Sequence, residues 1–132
     1  MAKIKLGARP ETFQRNVKFQ LLDGTEGSIG VIYRYRTRKE FGALTDALMA
    51  EVRADSERDA EGAETQPISM ETVWAQAGAK NADYLLKIAQ GWDLDEPFSR
   101  ESIEQLSDEL PAAVSAIVQE YRVAIIEGRL GN

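Results

Sequence analysis

Between Val17 and Arg36 the apolar residues recur at every second position, the period of a strand that buries one face. Val17, Phe19 and Leu21 share one side, and Ile29, Val31, Tyr33 and Tyr35 resume it after a gap. That gap, Asp23-Gly24-Thr25-Glu26-Gly27, holds an Asp-Gly pair and a second glycine, which suits a turn needing positive φ. The pattern predicts a β-hairpin whose other face carries Lys18, Arg34 and Arg36 as a basic stripe.

Thr37-Arg38-Lys39-Glu40 is a capping box, so a helix should follow at once. Phe41, Leu44, Leu48 and Val52 fall at spacings of three and four, an amphipathic stripe ending near Ala54 and expected to pack on the hairpin's apolar face. Residues 55–67 are rich in Asp, Glu, Ala and Gly, lack apolar periodicity and end in Pro67, the composition of a flexible acidic linker. Short helices are expected beyond it. Ser69 would cap one carrying Val73, Trp74 and Ala77 and stopping near Gly78. Asn81 would cap a second with Leu85 and Ile88, ended by Gly91 as a left-handed residue, with Trp92 folding back near Leu86. Ser99 opens another with Ile103 and Leu106, and Pro111 suits the first turn of a last helix. That helix would bury Val114, Ile117, Val118, Tyr121 and Ile125 before Gly128 or Gly131 stops it.

The expected fold class is α+β: an N-terminal β-hairpin packed on an amphipathic helix, followed by a C-terminal bundle of short helices. It forms a single domain, 1–132, with a hairpin-helix unit at 13–54, the linker at 55–67 and a helical part at 69–132. Its 43% apolar and 29% charged residues are those of an ordinary soluble protein of one-domain size.

Charge changes the picture. Residues 1–39 hold nine basic side chains against three acidic ones, yet the whole chain carries a net charge of −6, so a basic front precedes an acidic body. Internal or protein–protein complementarity is the first reading of that asymmetry, because nucleic-acid binders usually carry a basic total. Alternation also sends Tyr33 and Tyr35 to the core and the neighbouring arginines outward, which separates the halves of a base-stacking platform.

Candidate chemistry is sparse. The chain has no His and no Cys, so an imidazole base, a thiolate nucleophile and the usual zinc ligands are excluded, and no oxidising compartment is needed. Asp93 to Glu104 superficially resembles a calcium loop, but Pro97 and Phe98 occupy the fifth and sixth places, where a ligand and a glycine are required. Gly24, Gly27 and Gly30 lie inside the hairpin rather than between a strand and a helix, so they form no phosphate cradle. Neither catalytic residues nor a cofactor or metal is predicted. No apolar run reaches the length of a membrane span, and Met1 to Pro10 has no hydrophobic stretch to act as a signal.

Particular strings go further. Leu22-Asp23-Gly24-Thr25-Glu26-Gly27 in the turn and Tyr35-Arg36-Thr37-Arg38-Lys39-Glu40-Phe41 at the helix start come first. Gly91-Trp92-Asp93-Leu94-Asp95, Phe98-Ser99, Pro111 and the closing Gly131-Asn132 follow. In that order they resemble a family of phage tail assembly chaperones of long-tailed, siphovirus-type phages and prophages. The resemblance implies a non-enzymatic role in virion morphogenesis, with the tape-measure protein as client and the tail tube protein as a further partner. It also implies a place in the host bacterial cytoplasm and absence from the finished virion. Candidate partner contacts are Trp74, Trp92, Leu94 and Phe98, each of which also has a core reading. Arg34 and Arg36 are candidates for a homo-oligomeric contact with the acidic body of another copy. The alternatives are a structural tail or head–tail connector component and a small nucleic-acid-binding regulator.

Overall fold

A computed structural model describes residues 6–7, 9–62 and 69–129. Strands β1 (Thr12–Gln20) and β2 (Glu26–Arg34) form the expected antiparallel hairpin, with Val17 opposite Ile29 and Phe13 opposite Tyr33. The turn is closed by Leu21 N–H to the Thr25 carbonyl at 2.7 Å, and Gly24 takes the left-handed conformation at φ 87°. Asp23 accepts from the Thr25 amide and hydroxyl, bonds that hold its carboxyl below the ordinary range.

The capping box opens α1 (Arg38–Gly62) as anticipated. Thr37 Oγ1 accepts from the Glu40 amide at 3.2 Å, and Glu40 Oε1 accepts from the Thr37 amide at 2.9 Å. The latter bond lowers the Glu40 pKa. The helix runs past the expected end near Ala54, because the following residues are adequate helix formers and neither Pro nor Gly interrupts them before Gly62. Positions 63–67 of the expected linker lie outside the described residues.

Ser69 caps α2 (Met70–Ile88), which is one helix where two were expected. Gly78 does not end it: a glycine costs a helix only about 1 kcal/mol, and the burial of Ala82, Leu85 and Ile88 outweighs that. Asn81 caps nothing; its side-chain amide donates to Ser107 Oγ at 2.9 Å, tying α2 to α3 (Arg100–Glu109). Beyond Ile88 the chain is extended, and Ala89–Trp92 forms a third strand, β3, on the free edge of β2. Gly91 therefore sits opposite Ile32 rather than stopping a helix, and Trp92 pairs with Val31 rather than folding back on Leu86. Ser99 caps α3, Pro111 starts α4 (Pro111–Glu127), and Gly128 ends it at φ 71°.

The result is α+β, a three-stranded antiparallel sheet with helices on its inner face. Helix α4 is the main cover of the hairpin, packing on β1 with Ile117, Tyr121 and Ile125 buried. Among the described side chains of α1, Phe41 and Leu44 reach the same core, and Val52, expected in its buried stripe, is exposed. α4 has the broader apolar face, and its Tyr121 ring meets Phe13, Tyr33 and Phe41 at centroid distances of 6.1, 5.2 and 5.7 Å.

Two outcomes follow. Tyr121 Oη donates to the Arg34 carbonyl at 2.9 Å and accepts from Arg36 Nη1 at 3.1 Å, so Tyr121→Phe should lower stability by about 1–2 kcal/mol in urea unfolding while keeping the fold. A Cβ at Gly78 would meet nothing within 4 Å, so Gly78→Ala should raise stability by about 0.5–1 kcal/mol in the same assay.

Candidate functional site

Part of the basic front is bonded within the fold. Arg15, on the inner face of β1, donates from Nε to Glu120 on α4 at 2.8 Å and from Nη1 to the Arg129 carbonyl at 2.9 Å. Arg38 donates to the Ile126 carbonyl at 2.8 Å. Carbonyls at a helix C-terminus have no intrahelical donors, and guanidinium groups satisfy them with favourable charge. Arg36 is half-buried and bound to Tyr121, while Arg34 is exposed and reaches the Ala89 carbonyl at 3.4 Å. Arg9 pairs with Glu40 at 3.2 Å. Lys18 faces Glu26 at 3.9 Å in an exposed pair of little energetic weight.

The four apolar candidates separate into two places. Trp92, Leu94 and Phe98 are half-buried around the exit of β3. The Trp92 and Phe98 rings meet edge to face at 5.1 Å, and Trp92 Nε1 donates to the Glu96 carbonyl at 2.8 Å, which closes the loop between them. Trp92 and Leu94 also line a groove of about 390 Å³ at the hairpin tip, together with Phe19, Leu21, Leu106 of α3 and Leu110 at the α3–α4 junction. Phe98 is not part of that lining.

Trp74 stands apart from them, 65% exposed on the first turns of α2. It borders an open hollow of about 520 Å³ between α2 and α3, together with Glu71, Glu104 and Asp108. Met70 (59% exposed) and Val73 lie on the same stretch. Every buried residue of α2 falls in Gly78–Ile88, so these first turns extend beyond the core with their apolar side chains uncovered. On α1, Met49 and Val52 are likewise exposed, and a 3.9 Å pair between Glu51 and Lys87 joins the middle of α1 to the end of α2. Met70, Val73 and Met49 were not singled out from the sequence. The available signal was the spacing of Met70 and Trp74, four residues apart on one helical face.

No group of three His, Cys, Asp or Glu side chains is placed to hold a metal among the described residues. Asp93, from the rejected calcium loop, accepts from the Gly30 amide at 2.8 Å and returns its own amide to the Gly30 carbonyl at 3.0 Å, extending the β2–β3 edge. Burial pushes the pKa of Tyr33, Tyr84 and Tyr121 upward, and the Tyr33 and Tyr121 hydroxyls donate to the Ile117 and Arg34 carbonyls. Among the described residues the geometry offers apolar surface bordered by acids.

The family model for phage tail assembly chaperones matches residues 1–132. The chain belongs to that family. No curated protein and no solved structure matches this chaperone. No helix among its described residues is long and apolar enough to cross a membrane.

Proposed function

We propose that this chaperone acts without catalysis, in the host cell during tail assembly, by holding the tape-measure protein in a soluble state while the tube forms. The observation that carries the reading is the uncovered apolar stretch at the start of α2, centred on Trp74 and flanked by Met70 and Val73. Exposed apolar side chains gathered on one stretch mark an interaction surface, since they lose solvent contact only when a partner covers them. A long amphipathic client supplies such a cover along its own apolar face.

Charge supports the same surface. Glu71, Glu104 and Asp108 border the hollow beside Trp74, so client segments with lysine or arginine beside their apolar stripe fit best. The net charge of −6 keeps a loaded complex apart from its neighbours in solution. Membership of the family supports the tail-assembly context, and a recruited tube protein and departure before the virion is finished belong to the same proposal.

The test is co-expression with the tape-measure protein. Met70→Glu plus Trp74→Glu should cut the soluble tape-measure fraction at least fivefold while leaving the chaperone's own unfolding midpoint unchanged, because neither side chain is buried. Undiminished recovery of soluble client would contradict the assignment of this surface. Mass spectrometry of purified virions should find no copy of the chain; a stoichiometric copy would favour a structural component.

A further inference from the structure

The groove at the hairpin tip plays no part in the client surface, and its chemistry is specific. Phe19, Leu21, Trp92 and Leu94 give it apolar walls, and the exposed Glu96 and Glu109 are among its other lining residues. An extended segment with apolar residues at alternate positions and lysines between them matches such a surface, apolar groups inward and ammonium groups toward the carboxylates. Ahead of β1 the chain carries that pattern in Lys3-Ile4-Lys5-Leu6. Leu6 is 94% exposed, uncovered by its own fold.

Reach decides which copy is involved. Arg9 is held at the α1 end of the sheet by Glu40 and by its position 6.0 Å from the Tyr35 ring centroid. The groove lies at the other end of β1, whose nine residues span about 30 Å at about 3.4 Å each. From Arg9 back to Ile4 the chain covers at most about 18 Å, and the positive φ of Gly7 bends it further. That reach is shorter than the span of β1 that separates Arg9 from the groove.

We infer that Lys3–Leu6 of one copy docks in the hairpin-tip groove of a second copy, with Ile4 and Leu6 against the apolar walls and Lys3 and Lys5 facing Glu96 and Glu109. Donor and acceptor surfaces differ, so the contact is head-to-tail. It is independent of the client surface at Trp74.

Sedimentation velocity of the full chain over a concentration series tests it. The unaltered chain should gain mass with concentration. Lys3→Glu plus Lys5→Glu, and separately Glu96→Lys plus Glu109→Lys, should each weaken association at least tenfold, and an equal mixture of the two variants should recover it. Leu6→Asp, at an exposed position where folding is indifferent, should weaken association as well. A chain that stays monomeric throughout overturns the inference, as does association indifferent to these changes or a mixture that fails to recover; the last two would place self-association on another surface.

Discussion

The fold depends on the seat of Tyr121. Its ring joins Phe13 of β1, Tyr33 of β2 and Phe41 of α1, and its hydroxyl bonds to the backbone and side chain where β2 leads into α1. Tyr33 repeats the arrangement in the other direction, its hydroxyl donating to the Ile117 carbonyl at 2.7 Å. Two phenols thus fasten α4 to the hairpin from both sides, and no buried side-chain polar atom among the described residues is left without a partner. With α4 filling the inner face of the sheet, the described side chains of α1 that touch the core are Phe41 and Leu44 in its first turns.

That constraint links the electrostatics to function. Arg38 donates to the Ile126 carbonyl at the carboxyl end of α4, Arg15 to the Arg129 carbonyl beyond it and Arg36 to the Tyr121 hydroxyl, so part of the basic front also fastens the fold. Acids border both the hollow beside Trp74 and the hairpin-tip groove. The outer surface therefore presents apolar ground edged with negative charge, which favours partners that combine apolar and basic groups.

The parts of this structure legible in the sequence are those fixed by local chemistry. The hairpin follows from alternation plus an Asp-Gly turn, and the starts of α1, α2 and α3 follow from Thr37, Ser69 and Ser99. What was illegible is decided by distant neighbours. Ala89-Gln90-Gly91-Trp92 has neither length nor alternation, and becomes a strand because β2 offers an unpaired edge. Gly78 and Asn81 look like punctuation, yet the packing of α2 on α3 overrides them. The choice between α1 and α4 as cover for the sheet rests on relative apolar breadth across the whole chain. For the site, Trp74 was visible as a residue type, but its exposure depends on α2 extending beyond the core, which no local pattern encodes.

The central claim is that a core closed by α4 leaves the first turns of α2 as the surface that receives the client. Hydrogen exchange followed by mass spectrometry, on the chaperone alone and with the tape-measure protein, tests it most directly. Residues 70–77 should gain protection while the sheet and α4 stay as they were. Protection gained on the sheet and α4 instead, with 70–77 unchanged, would contradict the account.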